Sequence, residues 1–374
     1  MIGLYIHIPF CVHKCLYCDF PSYGGVCQYI PGYVEALCRE IRAFSPKGLQ
    51  ADTVYVGGGT PSLLSVSQLS QIMDALQQTF SLTADAEITL EANPDSMDAS
   101  YAAAIASLGI NRVSLGIQSF DDRMLRFLGR VHTAAAGRQA VEDVWRGGIQ
   151  NISIDLMYGL PHQTQAMVQQ DMEMLSALPV CHASIYSLIV EEHTPLWAGL
   201  QRRAFSLPAA DDVEAMGRVI HETMHRLGYE HYEISSYARP GRRSRHNCKY
   251  WQYVPYIGFG VSAHSFYQQT RWANIANIPA YIRRAGRGSV TTERVPIDEK
   301  RAQEDYCFLA LRMHDGISYT AFENQFGTTI EREFGPVLTR LFQQKLLEKT
   351  KDGCCLSDLG LGYGNYVFSQ FIRE

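Results

Sequence analysis

Cys11, Cys15 and Cys18 form a C-x3-C-x2-C cluster directly after the strand-like run Leu4 to Ile8. Three thiolates are one ligand short of the closed tetrahedral cage of structural zinc, whereas on a cubic [4Fe-4S] cluster they leave one iron open to a further ligand. The same short spacing also admits a zinc knuckle that borrows His13 as its fourth ligand. Downstream, Gly57-Gly58-Gly59-Thr60-Pro61 removes the Cβ from three successive positions, so a ligand can approach the backbone closely and the chain can take positive φ. A plain tight turn has the same composition. Glu91 stands at a strand end, where a carboxylate can accept hydrogen bonds from both hydroxyls of a ribose, or simply mark a surface turn. Asp155 lies inside the apolar run Ile152 to Met157, and an unpaired carboxylate there is costly to bury, so it calls for a partner or a ligand.

Six short β-rich runs must position these groups: Leu4 to Ile8, Thr53 to Val56, Glu87 to Glu91, Arg112 to Ile117, Ile152 to Met157 and His182 to Leu188. Longer helical patterns separate them. Leu69, Ile72, Met73, Leu76 and Phe80 repeat at helical spacing behind a Ser65/Gln68 capping box, and Val34, Leu37, Ile41 and Phe44 mark the helix before. Alternating strand and helix is the rhythm of parallel βα units, and several runs read as apolar throughout, as strands covered on both faces should. The fold class expected is α/β, a partial (β/α)6 TIM-like barrel over residues 1–195 with its active site at the carboxyl ends of the strands. Residues 196–295 read as an α+β extension with a long helix carrying Val213, Met216, Ile220, Met224 and Leu227, then a strand at Tyr232 to Ile234. Residues 296–374 resemble a winged-helix module, read as a packing unit because it carries no basic patch.

The chain has 374 residues, 46% of them hydrophobic, enough for a full core, and a formal charge of -5 that argues against nucleic acid as a partner. Its ten cysteines are too sparse for a secreted disulfide scaffold and three are needed as reduced thiolates, so a reducing, cytoplasmic setting is expected. No run approaches the roughly 18 apolar residues of a membrane span.

In order along nearly the whole chain, Tyr5, the three cysteines, Gly-Gly-Gly-Thr-Pro, Glu91, Gln118, Arg130 and Asp155 resemble the oxygen-independent coproporphyrinogen III oxidase branch of the radical S-adenosylmethionine (SAM) superfamily. That resemblance implies a [4Fe-4S] cluster on Cys11, Cys15 and Cys18. It also implies a SAM site lined by Tyr5, Tyr17, Gly58, Gly59, Thr60, Glu91, Gln118, Arg130, Asp155 and Ile189, with Arg130 facing the SAM carboxylate. Oxidases of this branch add a fourth cysteine two residues after the third and a longer leading segment; here that position is Phe20 and only ten residues precede the cluster. Both features match HemW-type haem chaperones, whose motif ends Cys-Asp-Phe as Cys18-Asp19-Phe20 does.

His246-Asn247-Cys248-Lys249-Tyr250-Trp251 fits the His-Asn-x-x-Tyr-Trp pattern that this subfamily is associated with for haem binding. The resemblance therefore implies haem contacts at His246, Asn247, Tyr250 and Trp251, with His246 as iron ligand and Arg242, Arg243 and Arg245 available to propionates. Core aromatics and a satisfied histidine are the alternative reading of the same residues. Haem would pass to client haemoproteins, respiratory enzymes at the membrane among them, and the cluster would govern homodimerisation or transfer rather than turnover. An oxidative decarboxylase acting on coproporphyrinogen III through a 5′-deoxyadenosyl radical, or radical degradation of haem, are the enzymatic rivals.

Overall fold

The computed structural model describes residues 1–373. Six strands run parallel in chain order: β1 (Ile2–Ile8), β2 (Gln50–Gly58), β3 (Ser81–Ala92), β4 (Arg112–Gln118), β5 (Asn151–Tyr158) and β6 (His182–Ser187). The helices α1 (Ile30–Ala43), α2 (Val66–Thr79), α3 (Ala99–Ser107), α4 (Ala134–Arg146) and α5 (Gln165–Ser176) connect them. α2 begins with the expected capping box: Ser65 Oγ accepts from the Gln68 amide and the Gln68 side chain returns to the Ser65 amide. Its Leu69, Ile72, Met73 and Leu76 are buried, as are Val34, Leu37 and Ile41 of α1.

Strand composition follows a period of two that divides helix side from lumen side. Leu4, Ile6 and Ile8, Val54 and Val56, Val113 and Leu115, and Ile152 and Ile154 are buried in the main core. The intervening positions are polar and bond to one another across the lumen. Tyr55 donates to Glu91, Ser114 to Asp155 and Tyr186 to Gln118, while Ser153 pairs with His182.

The sheet does not end at six strands. Residues 196–296 supply α6 (Ala210–Arg226), β7 (Glu230–Glu233), β8 (Ser236–Ala238), α7 (Arg245–Trp251), β9 (Tyr256–Phe259), β10 (His264–Tyr267), β11 (Thr270–Asn274) and β12 (Thr291–Pro296), whose last residue lies one past the boundary expected at 295. β9 lies parallel to β1, Gly3 facing Tyr256, and the twelve strands run in the order β12-β11-β10-β9-β1-β2-β3-β4-β5-β6-β8-β7. The extension therefore flanks the six strands on both sides.

The C-terminal segment builds a separate three-stranded sheet from Ile317–Ser318, Leu347–Thr350 and Gly353–Leu356, packed with helices Glu299–Ala310, Tyr319–Phe326 and Ile330–Gln343 in the winged-helix manner. Its core includes Tyr253 and Phe266 of the extension. Among the described residues no helix is long and apolar enough to cross a membrane.

Candidate functional site

The carboxyl ends of the six strands surround a cavity of about 130 Å³ that opens to solvent. Cys11, Cys15, Cys18, Tyr17, Gly58, Gly59, Thr60, Glu91, Gln118, Arg130 and Asp155 all line it, eleven of the thirteen groups expected at the cluster and SAM sites. Tyr5 lies beneath, its hydroxyl bonded to His7 Nδ1 at 2.9 Å. Ile189 does not join them: it follows β6 and is 69% exposed. The chain leaves the parallel sheet at Ser187, so the side chain after that end is not held over the cavity.

The cysteine loop is anchored from several directions. His7 Nε2 donates to the Pro21 carbonyl at 2.9 Å, the Tyr23 amide to Pro9 O at 2.8 Å and the Leu16 amide to Leu128 O at 3.2 Å. The thiol of Cys11 receives the Thr60 hydroxyl at 3.6 Å, and that of Cys15 receives Arg130 Nη1 at 3.3 Å. Burial pushes the Cys11 and Cys18 thiols up, so a cation or metal is needed to hold them as thiolates. All three are free cysteines. Among the described residues no three His, Cys, Asp or Glu side chains gather closely enough for one metal ion. Three thiols spaced around a cavity are a ligand set that suits a cube of iron and sulfide.

The glycine loop is made by close approach. Gly58 takes φ +117°, and a Cβ on Gly59 would sit 2.6 Å from the Phe10 carbonyl oxygen. The Gly59 amide donates to Ile8 O and that of Thr60 to Phe10 O, tying the loop to the base of the cysteine loop. Glu91 accepts from Tyr55 Oη at 2.7 Å and from the Gly58 amide at 3.0 Å. Burial raises its pKa; Tyr55, Gly58 and the buried Arg112 oppose that rise. Asp155 is held at about 7, raised by burial and then by Glu91. Arg130 Nη2 donates to Asn93 Oδ1 and to the Gly116 carbonyl, while its buried Nε has no partner. Arg130, Glu91 and Asp155 all line the one cavity, and groups of both signs there suit a zwitterionic ligand. Tyr55, Asn93, Ser114, Tyr186, His7 and Arg112 complete the pocket and its support, and none was singled out from sequence as a ligand contact.

The haem motif lies at the opposite end of the barrel. α7 packs under the amino ends of β1 to β3, and a Cβ on Gly3 would meet His246 Cε1 at 3.1 Å. His246 is 1% exposed; Nδ1 is bonded to Thr53 Oγ1 at 2.9 Å and Nε2 to Tyr250 Oη at 2.8 Å. Both imidazole nitrogens are thus hydrogen-bonded within the fold, and an iron ligand at this position would have to exchange one of those partners. Trp251 lies under Arg312 of the C-terminal module, whose Cζ is 4.5 Å from the ring centroid. Asn247 and Tyr250 are half-buried. Arg243 pairs with Asp315 and Glu230, and Arg245 with Asp52 and Asp85. Cys38, Cys181, Cys248, Cys307, Cys354 and Cys355 are buried free thiols and Cys27 is half-buried.

Residues 5–175 match the radical SAM superfamily and residues 299–362 the HemN C-terminal domain. The superfamily implies a [4Fe-4S] cluster and SAM. The Heme chaperone HemW of Lactococcus lactis is 36% identical over 99% of this chain and 97% of its own length. That of Bacillus subtilis is 35% identical over the whole of both chains. The mitochondrial Radical S-adenosyl methionine domain-containing protein 1 of Bos taurus is 34% identical over 85% of this chain and 74% of its own. Among solved structures, coproporphyrinogen III oxidase (HemN) from Escherichia coli superposes with a TM-score of 0.85, covering 99% of this chain and 89% of that one, at 22% identity, a likeness of fold alone. With the cysteine triad, glycine loop and carboxylates at one rim of the partial barrel and this identity running from end to end, the chain belongs to the heme chaperone HemW family of radical SAM proteins.

Proposed function

We propose that the protein is a haem chaperone that binds one [4Fe-4S] cluster on Cys11, Cys15 and Cys18, binds SAM beside it, and passes haem to client haemoproteins. The observation that carries the SAM site is the convergence of three free thiols, the Gly58-Gly59 backbone, Glu91 and Arg130 on one cavity. When bound, the cluster supplies an electron to SAM and an open iron to hold it. The chain's own groups orient the ligand. Glu91 accepts the ribose hydroxyls, Arg130 answers the carboxylate, and the Gly58-Gly59 backbone lies against the methionine end where side chains would block approach. Gln118 and Asp155 close the far wall.

Haem handling rests on the end-to-end likeness to proteins named heme chaperones. The clients include respiratory haemoproteins, reached at the membrane by a chain that touches it from outside, and two copies associate during transfer. Phe20, in place of a fourth cysteine, favours this reading over oxidative decarboxylation. The test is anaerobic incubation of cluster-reconstituted protein with SAM, reductant and either coproporphyrinogen III or haem, following both tetrapyrroles and 5′-deoxyadenosine. Intact haem without porphyrinogen decarboxylation is expected; protoporphyrinogen formed at catalytic turnover would make the protein an oxidase, and disappearance of haem a degrading enzyme.

A further inference from the structure

A column of four rings runs through the lumen from α7 to the cysteine loop. His246 stacks on Tyr55 with centroids 5.2 Å apart, Tyr55 on Tyr5 at 6.3 Å, and Tyr5 meets His7 at 5.9 Å. Each ring above the floor holds part of the upper site. Tyr55 Oη donates to Glu91, and His7 Nε2 donates to Pro21, three residues after Cys18.

The floor beneath is tightly fixed. The Glu87 carboxylate receives the backbone amides of Arg245 and His246 at 3.2 and 3.1 Å, and Lys249 Nζ lies 2.7 Å from Asp52. These bonds tie α7 to the amino ends of β2 and β3, while Trp251 and Arg312 clamp its other end to the C-terminal module. A buried imidazole bonded at both nitrogens fills space and sets the height and tilt of the ring stacked on it.

We propose that His246 is a positioning residue for SAM, setting the orientation of Glu91 through Tyr55, and that the His-Asn-x-x-Tyr-Trp helix is the floor of the SAM site. The proposal rests on Glu91 as the ribose contact. His246 touches neither SAM nor cluster; it fixes the ring whose hydroxyl fixes the carboxylate. The same packing explains why the motif ends in two aromatics: Tyr250 bonds the imidazole from below, and Trp251 offers its face to Arg312.

The test is a double-mutant cycle on SAM affinity, measured calorimetrically on the full cluster-reconstituted chain, with ferric haem binding read in parallel. Tyr55→Phe keeps the stacked ring and removes only the bond to Glu91, so SAM affinity should fall roughly tenfold, the value of one hydrogen bond to a charged group. His246→Gln should weaken SAM binding to a similar degree in the wild-type background and have little further effect once Tyr55 is Phe. Unchanged SAM affinity in His246→Gln, an equal fall in both backgrounds, or loss of haem binding with SAM affinity intact would overturn the proposal. Glu91→Gln is the separate control: if it leaves SAM affinity unchanged, the assignment of Glu91 itself is wrong.

Discussion

Adding one methyl group at Gly59 tests whether the glycine loop is a close-approach device. An alanine Cβ there would lie 2.6 Å from Phe10 O and 3.0 Å from Ile8 O, both backbone atoms that cannot rotate aside. Ordinary contact begins near 3.4 Å, so the end of β1 or the loop must move by about 0.8 Å. That displacement breaks into the Gly59 and Thr60 amide bonds to the same two carbonyls, 2.8 and 2.7 Å long. Overpacking costs about 1–3 kcal/mol and one weakened hydrogen bond about 1 more, so Gly59→Ala should cost about 2–4 kcal/mol. Spread over the unfolding entropy of a chain this long, that lowers Tm by about 3–5 °C. Phe10 and Cys11 carry the shift into the cysteine loop, so reconstituted iron and sulfide should fall as well. Gly32→Ala is the internal control. Its Cβ would find only Ile282, at 3.8 Å, within the first turn of α1, and trading glycine for alanine in a helix should stabilise by about 0.5 kcal/mol. Thermal unfolding and iron analysis of both variants decide the matter. A Gly59→Ala protein that unfolds with the wild type and loads a full cluster would refute the reasoning.

Cys15→Ser should abolish stoichiometric iron and sulfide after reconstitution, and full retention would remove the three-cysteine assignment. Arg130→Lys cannot serve Cys15, Asn93 and Gly116 together, so SAM affinity should drop about 10- to 100-fold by calorimetry, and an unchanged value would detach Arg130 from the ligand. Asp171 accepts from the Phe120 amide and Ser119 Oγ just after Gln118, and burial holds its pKa at about 7. A carboxyl raised in the folded state gives stability that is full below its unfolded value near 4 and is lost as pH rises to about 7. Asp171→Asn should therefore gain Tm relative to wild type between pH 5 and 7, and parallel curves would contradict the shift. Tyr250→Phe removes the partner of His246 Nε2 while keeping the ring. It should cost about 1 kcal/mol in thermal unfolding without raising haem affinity, and tighter haem binding would mean that the released nitrogen takes the iron.

The strands were legible because their helix-facing positions are so apolar: Leu4, Ile6 and Ile8 or Ile152 and Ile154 can only be buried. Reading those runs as apolar throughout overlooked the other half of the pattern. Tyr5 and His7, Thr53 and Tyr55, Glu87 and Glu91, Arg112 and Ser114, Ser153 and Asp155, and Ser184 and Tyr186 occupy every second position or nearly so. This polar series is the lumen, and it contains most of the supporting residues that were missed. Tyr55 and Ser114 were readable by the same alternation that marks Glu91 and Asp155. The parallel pairing of β9 with β1 had no such signal. Four residues, Tyr256 to Phe259, choose a partner some 250 positions away, and nothing local in their pattern names it.

The two ends of the barrel differ in what residue type can reveal. At the carboxyl rim the strand ends stop and loops begin, so a cysteine, glycine or arginine there keeps unspent valence: free thiols, bare backbone and a guanidinium N–H without a partner. At the amino end the lumen narrows onto α7, and every donor and acceptor of the His246 ring meets another within the fold. An imidazole followed by Tyr and Trp suits haem in both places by chemistry, yet only burial and hydrogen-bond partners say whether a lone pair is available. That distinction is not local in sequence. Thr53 lies 193 positions before His246, and the clamp on Trp251 comes from the C-terminal module. The His246 ring bonds Thr53 and Tyr250 while the Trp251 face takes Arg312, so the motif joins these three parts of the chain even though the Trp251 indole N–H itself finds no partner.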